Sequence, residues 1–209
     1  MNIIKKIAPE NCLRIGFYFK KTNCLGPYER FALWLQGCER GCKGCIATDM
    51  QSLDGGNVYK IDDIATLICK DNTTEGITIS GGEPFYQADK LCILLENVRN
   101  IRKDFGCIIY TGYRYEELLD SGEPYIAKLL KMTDILIDGE YLSEYDDNLG
   151  LRGSSNQRII FLSDRYKECA DIYTENQGRK NRIIISDKKF QMIGIPSIET
   201  KKILKDYSK

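Results

Sequence analysis

The sequence predicts an α/β fold on a parallel sheet. Three observations carry that prediction: short apolar runs that end in glycine, amphipathic segments at helical spacing between them, and their alternation along the chain. Strands alternating with helices of this length need right-handed crossovers that lay helices over the sheet faces. Such sheets gather ligands at the C-terminal ends of their strands, so the loops there are where chemistry is expected.

Residues 12–20 (CLRIGFYFK) and 30–36 (RFALWLQ) read as strands, separated by the Gly26-Pro27 turn and bounded by Gly37. A cysteine loop follows, then a turn at Asp54-Gly55-Gly56-Asn57 and a helix marked by Ile61, Ile64, Leu67 and Ile68. Ile77-Thr78-Ile79 is a short strand ending at Gly81-Gly82, followed by a helix with Ala88, Leu91, Cys92, Leu95 and Val98 on one face. Cys107 to Tyr110 is the next strand, ending at Thr111-Gly112. Residues 115–131 are helical with a break at Gly122 to Pro124, and Ile135-Leu136-Ile137 is a strand ending at Asp138-Gly139. Residues 149–162 lead from a polar loop into an apolar strand. Beyond Ser163 come a helix-like stretch, a hairpin-like pair around Asp187-Lys188-Lys189, and a Lys-rich end, Lys201 to Lys209, read as a solvated helix face.

A chain of 209 residues suffices for one sizeable core. With 43% hydrophobic and 29% charged residues it has the balance of a globular protein. Thirty basic residues against thirty acidic leave no net positive field, which argues against nucleic acid as a partner. The opening MNIIKKIAPENCLRIG lacks a signal peptide's apolar core and no run of eighteen apolar residues follows, so a cytoplasmic protein without membrane contact is expected. Nine cysteines in that setting point to reduced thiols and metal rather than disulfides. Histidine is absent, which leaves thiolate or oxygen to bind any metal.

Cys38, Cys42 and Cys45 stand at a 3-then-2 spacing that lets one loop wrap an iron–sulfur cluster, with Gly41 and Gly44 permitting the tight path. By composition alone that spacing has about a 1% chance of arising. Zinc wants a fourth ligand, usually from a second close cysteine pair or a histidine pair, and neither is present. A purely electron-carrying cluster would use four cysteines; three leave one iron open. Cys12, Cys24, Cys69, Cys92, Cys107 and Cys169 show no further cluster spacing; Cys69, Cys92 and Cys107 sit in apolar patterns as small core residues.

The cysteine loop resembles that of radical S-adenosylmethionine (SAM) enzymes, in which SAM binds the open iron and is cleaved to a 5′-deoxyadenosyl radical. Gly26-Pro27 before Arg30, Gln36-Gly37-Cys38, Ser80-Gly81-Gly82-Glu83-Pro84, Tyr110-Thr111-Gly112-Tyr113, Asp138-Gly139 and Arg152-Gly153-Ser154-Ser155-Asn156-Gln157 follow in the order found in the activating component of anaerobic ribonucleotide reductase. The likeness covers roughly residues 26–162. It implies a partial parallel (β/α) barrel over residues 1–163, with an added N-terminal strand, and a C-terminal extension of unknown role over 164–209.

The resemblance further implies a 4Fe-4S cluster on Cys38, Cys42 and Cys45, with SAM held by Ser80, Gly81, Gly82, Glu83, Tyr110, Thr111, Gly112 and Asp138. Arg152, Ser154 and Asn156, with Arg158, would add a polar grip at the site. No catalytic side chain beyond the cofactors is implied. The implied partners are a glycyl-radical protein and a low-potential electron donor such as flavodoxin or ferredoxin. Taken alone, Gly81-Gly82 reads equally as a strand-to-helix turn with Pro84 starting the helix, and Thr111-Gly112 or Asp138-Gly139 as ordinary turn pairs. The pattern departs where Ile46 and Ala47 stand in place of the aromatic residue and Asn usual after the third cysteine. Two alternatives stay open: radical modification of a peptide, nucleotide or metabolite, and a non-enzymatic iron–sulfur or zinc module.

Overall fold

The computed structural model describes residues 3–170, 178–186 and 189–207. Seven strands form one sheet: β1 (Cys12–Thr22), β2 (Arg30–Leu35), β3 (Asn57–Lys60), β4 (Gly76–Gly81), β5 (Gly106–Tyr110), β6 (Ile135–Asp138) and β7 (Arg158–Phe161), in the order β3-β1-β2-β4-β5-β6-β7. The central four, β2-β4-β5-β6, are parallel. Helix α1 (Ile61–Cys69) precedes β4, α2 (Ala88–Ile101) joins β4 to β5, and α3 (Tyr115–Asp120) and α4 (Pro124–Lys131) join β5 to β6.

The expected parallel sheet thus holds in the middle. β1 and β3 run antiparallel on one side and β7 antiparallel to β6 on the other. Between β6 and β7 the chain makes only one turn of 3-10 helix, Ser143–Tyr145. With no helix to carry a crossover over the sheet, the strand returns beside its neighbour in the opposite sense. β3 went unpredicted because its four residues form an edge with no buried position, so it lacks the apolar alternation that marks a strand. The edge strands β3 and β7 are not paired with each other among the described residues.

Strand alternation sorts the two faces. Leu33, Leu35, Ile77, Ile79, Ile109 and Leu136 point to the helices and share one core with Ile64, Ile68, Leu91, Leu95 and Leu129. Helix spacing explains the match: Ile61, Ile64, Ala65 and Ile68 make one stripe on α1, and Ile126, Leu129 and Leu130 one on α4, where Pro124 supplies a preset first turn. The opposite face presents Ala32, Trp34, Ile108, Tyr110, Ile135 and Ile137.

The C-terminal segment covers that opposite face. After the 3-10 turn Lys167–Cys169 come β8 (Asn181–Ser186) and β9 (Lys189–Gly194), paired antiparallel as the sequence suggested, and α5 (Ile198–Tyr207). Ile193 and Ile195 pack with Ala32, Trp34 and Tyr110, and Tyr166 with Ile108, Ile135 and Ile137. The helix-like stretch beyond Ser163 lies partly outside the described residues (171–177), as do Asp187-Lys188 of the hairpin turn and 208–209 of the Lys-rich end. Lys201 does not belong to a solvated face: its ammonium pairs with the buried Asp146 and donates to the Tyr141 hydroxyl at 2.9 Å.

At the N-terminal rim, Arg30 is fully buried and donates to Thr78 Oγ1 (2.7 Å), Ile77 O (2.7 Å), Glu75 Oε2 (2.9 Å) and Tyr166 Oη (2.9 Å). A buried cation is tolerable only when paired and saturated with acceptors in this way.

Candidate metal centre and cofactor cleft

The C-terminal ends of β2, β4, β5 and β6 open onto a cleft of ≈ 850 Å³, counting the open solvent at its mouth. The cysteine loop leaves β2 directly. Its course is fixed by backbone bonds from Gly37 N to Met50 O (2.8 Å) and Cys38 N to Gln51 O (2.8 Å), and by the Gln36 amide, which donates to Ser52 O (2.8 Å) and Asp49 O (3.1 Å). Gly41 and Gly44 take φ of +66° and +80°, the left-handed region that glycine enters without strain.

Cys38, Cys42 and Cys45 are half-buried and all line the cleft. Burial pushes the Cys38 thiol up to about 11, with Glu83, Cys42 and Cys45 adding like charge and a hydrogen bond from the Arg40 backbone opposing. Burial likewise raises Cys42, opposed first by a hydrogen bond from the Tyr141 backbone. Three soft thiols close enough to repel as anions are what a bound cationic metal group reverses, since coordination favours the thiolate. Among the described residues no three His, Cys, Asp or Glu side chains close on one ion. Ligands of a single ion must stand within about 4.6 Å of one another, twice a metal–sulfur bond of about 2.3 Å. A four-iron cluster spreads its thiolates over its own width, and three of them leave one iron free. The donor set fits such a cluster.

Beside the loop, β4 ends in the glycine pair. Gly82 N donates to Leu35 O (2.7 Å) and Glu83 N to Gly37 O (2.9 Å), so the strand end is laced to the backbone that enters the cysteine loop. A Cβ on Gly82 would lie 2.4 Å from Gly37 O, so only glycine permits the approach. Glu83, 1% exposed, reaches across to the end of β5: Oε1 accepts from Thr111 Oγ1 (2.9 Å) and Phe85 N (3.1 Å), Oε2 from Gly112 N (2.9 Å). Burial pushes its carboxyl above the usual range, against the pull of those donors and of Arg40. The Arg40 guanidinium lies 4.4 Å from the centre of the Tyr113 ring, with its buried Nε making no hydrogen bond.

Ser80, Gly81, Gly82 and Glu83 from β4, and Tyr110, Thr111 and Gly112 from β5, all border the cleft with the three cysteines. Asp138, Arg152, Ser154 and Asn156 do not. Asp138 is fully buried, accepting from Tyr115 N (2.7 Å) at the start of α3 and from Arg158 Nε (2.9 Å). Arg152 pairs with Asp147 at 2.7 Å; Ser154 Oγ accepts from Leu142 N (3.2 Å); Asn156 donates to Glu140 O (2.8 Å). That loop reaches the cleft instead through Gly153 and Gln157, whose amide donates to Gly139 O (2.7 Å). Sequence reasoning also passed over Arg40, Tyr141 and the Gly194-Ile195 step. Arg40 stood inside the cysteine motif and was legible; the other two reach the cleft through long-range packing.

All nine cysteines are free, and Cys92 and Cys107 are buried as expected, whereas Cys69, the last residue of α1, is half-buried. Burial pushes the Cys92 and Cys107 thiols up to about 12, which keeps them as thiols at pH 8. In cluster-free protein at pH 8, iodoacetamide is therefore expected to alkylate the half-exposed Cys42 and Cys45 and to spare Cys92 and Cys107 until the chain unfolds. Peptide mass mapping with and without urea reads both outcomes.

Three thiols on a glycine-dependent loop at the strand-end rim of a parallel-centred sheet define a candidate iron–sulfur centre. A family model described as a 4Fe-4S single cluster domain matches residues 24–160. The anaerobic ribonucleoside-triphosphate reductase-activating protein of Vibrio cholerae serotype O1 is 34% identical over 141 residues, 64% of this chain and 88% of its own. That of Haemophilus influenzae is 30% identical over 152 residues (68% and 94%), and that of Enterobacteria phage T4 26% over 143 (66% and 88%). The chain belongs to the 4Fe-4S single cluster domain family, in the branch that holds the anaerobic ribonucleoside-triphosphate reductase-activating proteins.

Proposed function

We propose that this chain is a radical SAM activase that installs a glycyl radical on a partner protein, the anaerobic ribonucleotide reductase that its relatives' names specify. The observation that carries the reading is the meeting of Cys38, Cys42 and Cys45 with the laced Gly81-Gly82-Glu83 strand end in one cleft. Cys38, Cys42 and Cys45 would hold the cluster, and Gly81 and Gly82, with Ser80, Tyr110, Thr111 and Gly112, would hold SAM beside it. Asp138, Arg152, Ser154 and Asn156 act one layer back, setting the loops that face it. When bound, the reduced cluster and SAM supply a 5′-deoxyadenosyl radical that takes a hydrogen atom from a glycine Cα.

The chain's own contribution is to orient and to exclude water, and it needs no general base, which suits a protein without histidine. We read the open sheet as the partial (β/α) barrel of this class, residues 1–163, with 164–209 as the added extension. A flavodoxin- or ferredoxin-type protein is the electron donor we expect. Nine free thiols and the absence, among the described residues, of any helix long and apolar enough to cross a membrane support a cytoplasmic setting.

The test is anaerobic reconstitution with iron and sulfide, then dithionite, SAM and the co-encoded reductase. The expected result is 5′-deoxyadenosine together with a glycyl doublet in the electron spin resonance spectrum. Deoxyadenosine without the doublet, stimulated by another substrate, would overturn the activase assignment; a four-iron chromophore with no deoxyadenosine would overturn the radical chemistry altogether.

A further inference from the structure

The relatives match over 88–99% of their own lengths but over only 64–72% of this chain, so about three tenths of it lies outside each match. Residues after 160 also lie beyond the family match. The added C-terminal segment is nonetheless part of the cleft. Gly194 and Ile195, where β9 ends, line it beside Leu25, Trp34 and Tyr110. Ile195 is 7% exposed and Ile193 fully buried against the same sheet face.

A buried electrostatic clamp holds this segment down. Asp146, its side chain 6% exposed, pairs with Arg179 at 2.8 Å and with Lys201. The Arg179 side chain is 1% exposed and also donates to Arg152 O (2.8 Å), Gly153 O (2.8 Å) and Pro196 O (3.1 Å). The Lys201 ammonium stands 5.1 Å from the centre of the Tyr141 ring, and Tyr141 and Gly153 themselves border the cleft. One acid on the loop after β6 therefore fastens both flanks of the hairpin to the rim.

We propose that residues 178–186 and 189–203 form a clamped wall of the cleft that selects the partner segment admitted to it, through the apolar surface of Gly194-Ile195, Trp34 and Leu25. The selection rests on the activase reading above. Among the described residues, the charged side chains bordering the cleft are Arg40 and Glu83, both at the cofactor end. The remaining end offers aliphatic and aromatic surface, suited to an uncharged, small-residue stretch of polypeptide and unsuited to a phosphorylated or acidic substrate. Ile46 and Ala47, which replace the branch's usual pair, face the same space.

The experiment uses the full chain with Asp146→Asn and, as a milder change that keeps the Arg179 pair, Lys201→Met. Trp34 is the sole tryptophan, so acrylamide quenching of its fluorescence in cluster-free protein reports the wall with no partner present. We expect the quenching constant to rise about twofold or more. In reconstituted enzyme we expect deoxyadenosine release without partner to stay within about twofold of wild type, and the reductase concentration giving half-maximal glycyl radical to rise about tenfold or more. Unchanged quenching in both variants would overturn the clamp. Raised quenching with an unchanged reductase dependence would overturn the selective role. A wild type that cleaves SAM but marks no glycine defeats the activase reading and with it the selective role, while quenching still decides the clamped wall.

Discussion

Replacing Cys42 with serine is expected to abolish cluster assembly and to cut 5′-deoxyadenosine formation by more than about 100-fold. Serine keeps the size and loses the soft, ionisable sulfur that iron–sulfur clusters require. No neighbouring ligand compensates: histidine is absent from the chain, and none of the other six cysteines borders the cleft. Iron analysis after reconstitution and the visible absorption of the cluster check the first part; chromatography of the SAM products checks the second. Cys69→Ser, at the far end of α1, serves as the control and should retain about four irons per chain. A Cys42→Ser protein with full iron and wild-type cleavage would show that a residue outside this loop completes the site.

Gly82→Ala should be among the most damaging single methyl additions in the cleft. Its Cβ would fall 2.4 Å from Gly37 O, 2.8 Å from Gly37 C and 2.9 Å from Gly37 N, all backbone atoms that cannot swing aside. Relief requires parting β4 from the start of the cysteine loop, which breaks the Gly82–Leu35 and Glu83–Gly37 bonds at 2.7 and 2.9 Å. Overpacking plus two lost buried hydrogen bonds costs on the order of 3 kcal/mol. It also displaces the loop that carries Cys38, so SAM cleavage should fall at least about 10-fold even in molecules that fold. Gly41→Ala is the comparison: its Cβ meets nothing within 4 Å, and the strain at φ +66° costs about 1 kcal/mol. Urea denaturation of the cluster-free variants, followed by product assay after reconstitution, separates the two. Equal stability of the two variants would refute the close-approach argument.

These two sites also mark how far the sequence alone could reach. The cysteine triad was legible because its chemistry is local: three soft ligands and two glycines within eight residues. The Gly81-Gly82 pair was legible as a backbone that must stay bare, but its cause, the Gly37 carbonyl 45 residues earlier in the chain, belongs to the pairing of β2 with β4. Asp138 looked equally suited to SAM and to a turn. Its carboxylate in fact starts α3 and holds Arg158, a partner 20 residues away that spacing does not reveal. In the Arg152–Gln157 segment the polar cluster was visible but its orientation was not: Arg152 turns to Asp147 and Asn156 to the Glu140 carbonyl, and the glycine and the glutamine face the cleft. The hairpin of the extension was predicted from its own pattern. Its seat on the sheet was not, because a two-stranded unit carries no record of the surface that covers it.

The extension is tied to the body of the protein at opposite rims, by Tyr166 against the buried Arg30 and Glu75 below and by Arg179 and Lys201 against Asp146 above. Two tethers change the thermodynamics of release. When the upper one opens, the lower keeps the segment at a high effective concentration near its seat, so reseating is an intramolecular event rather than a search through solution. On the clamped-wall proposal, the segment would yield to an arriving polypeptide and reseat after it leaves.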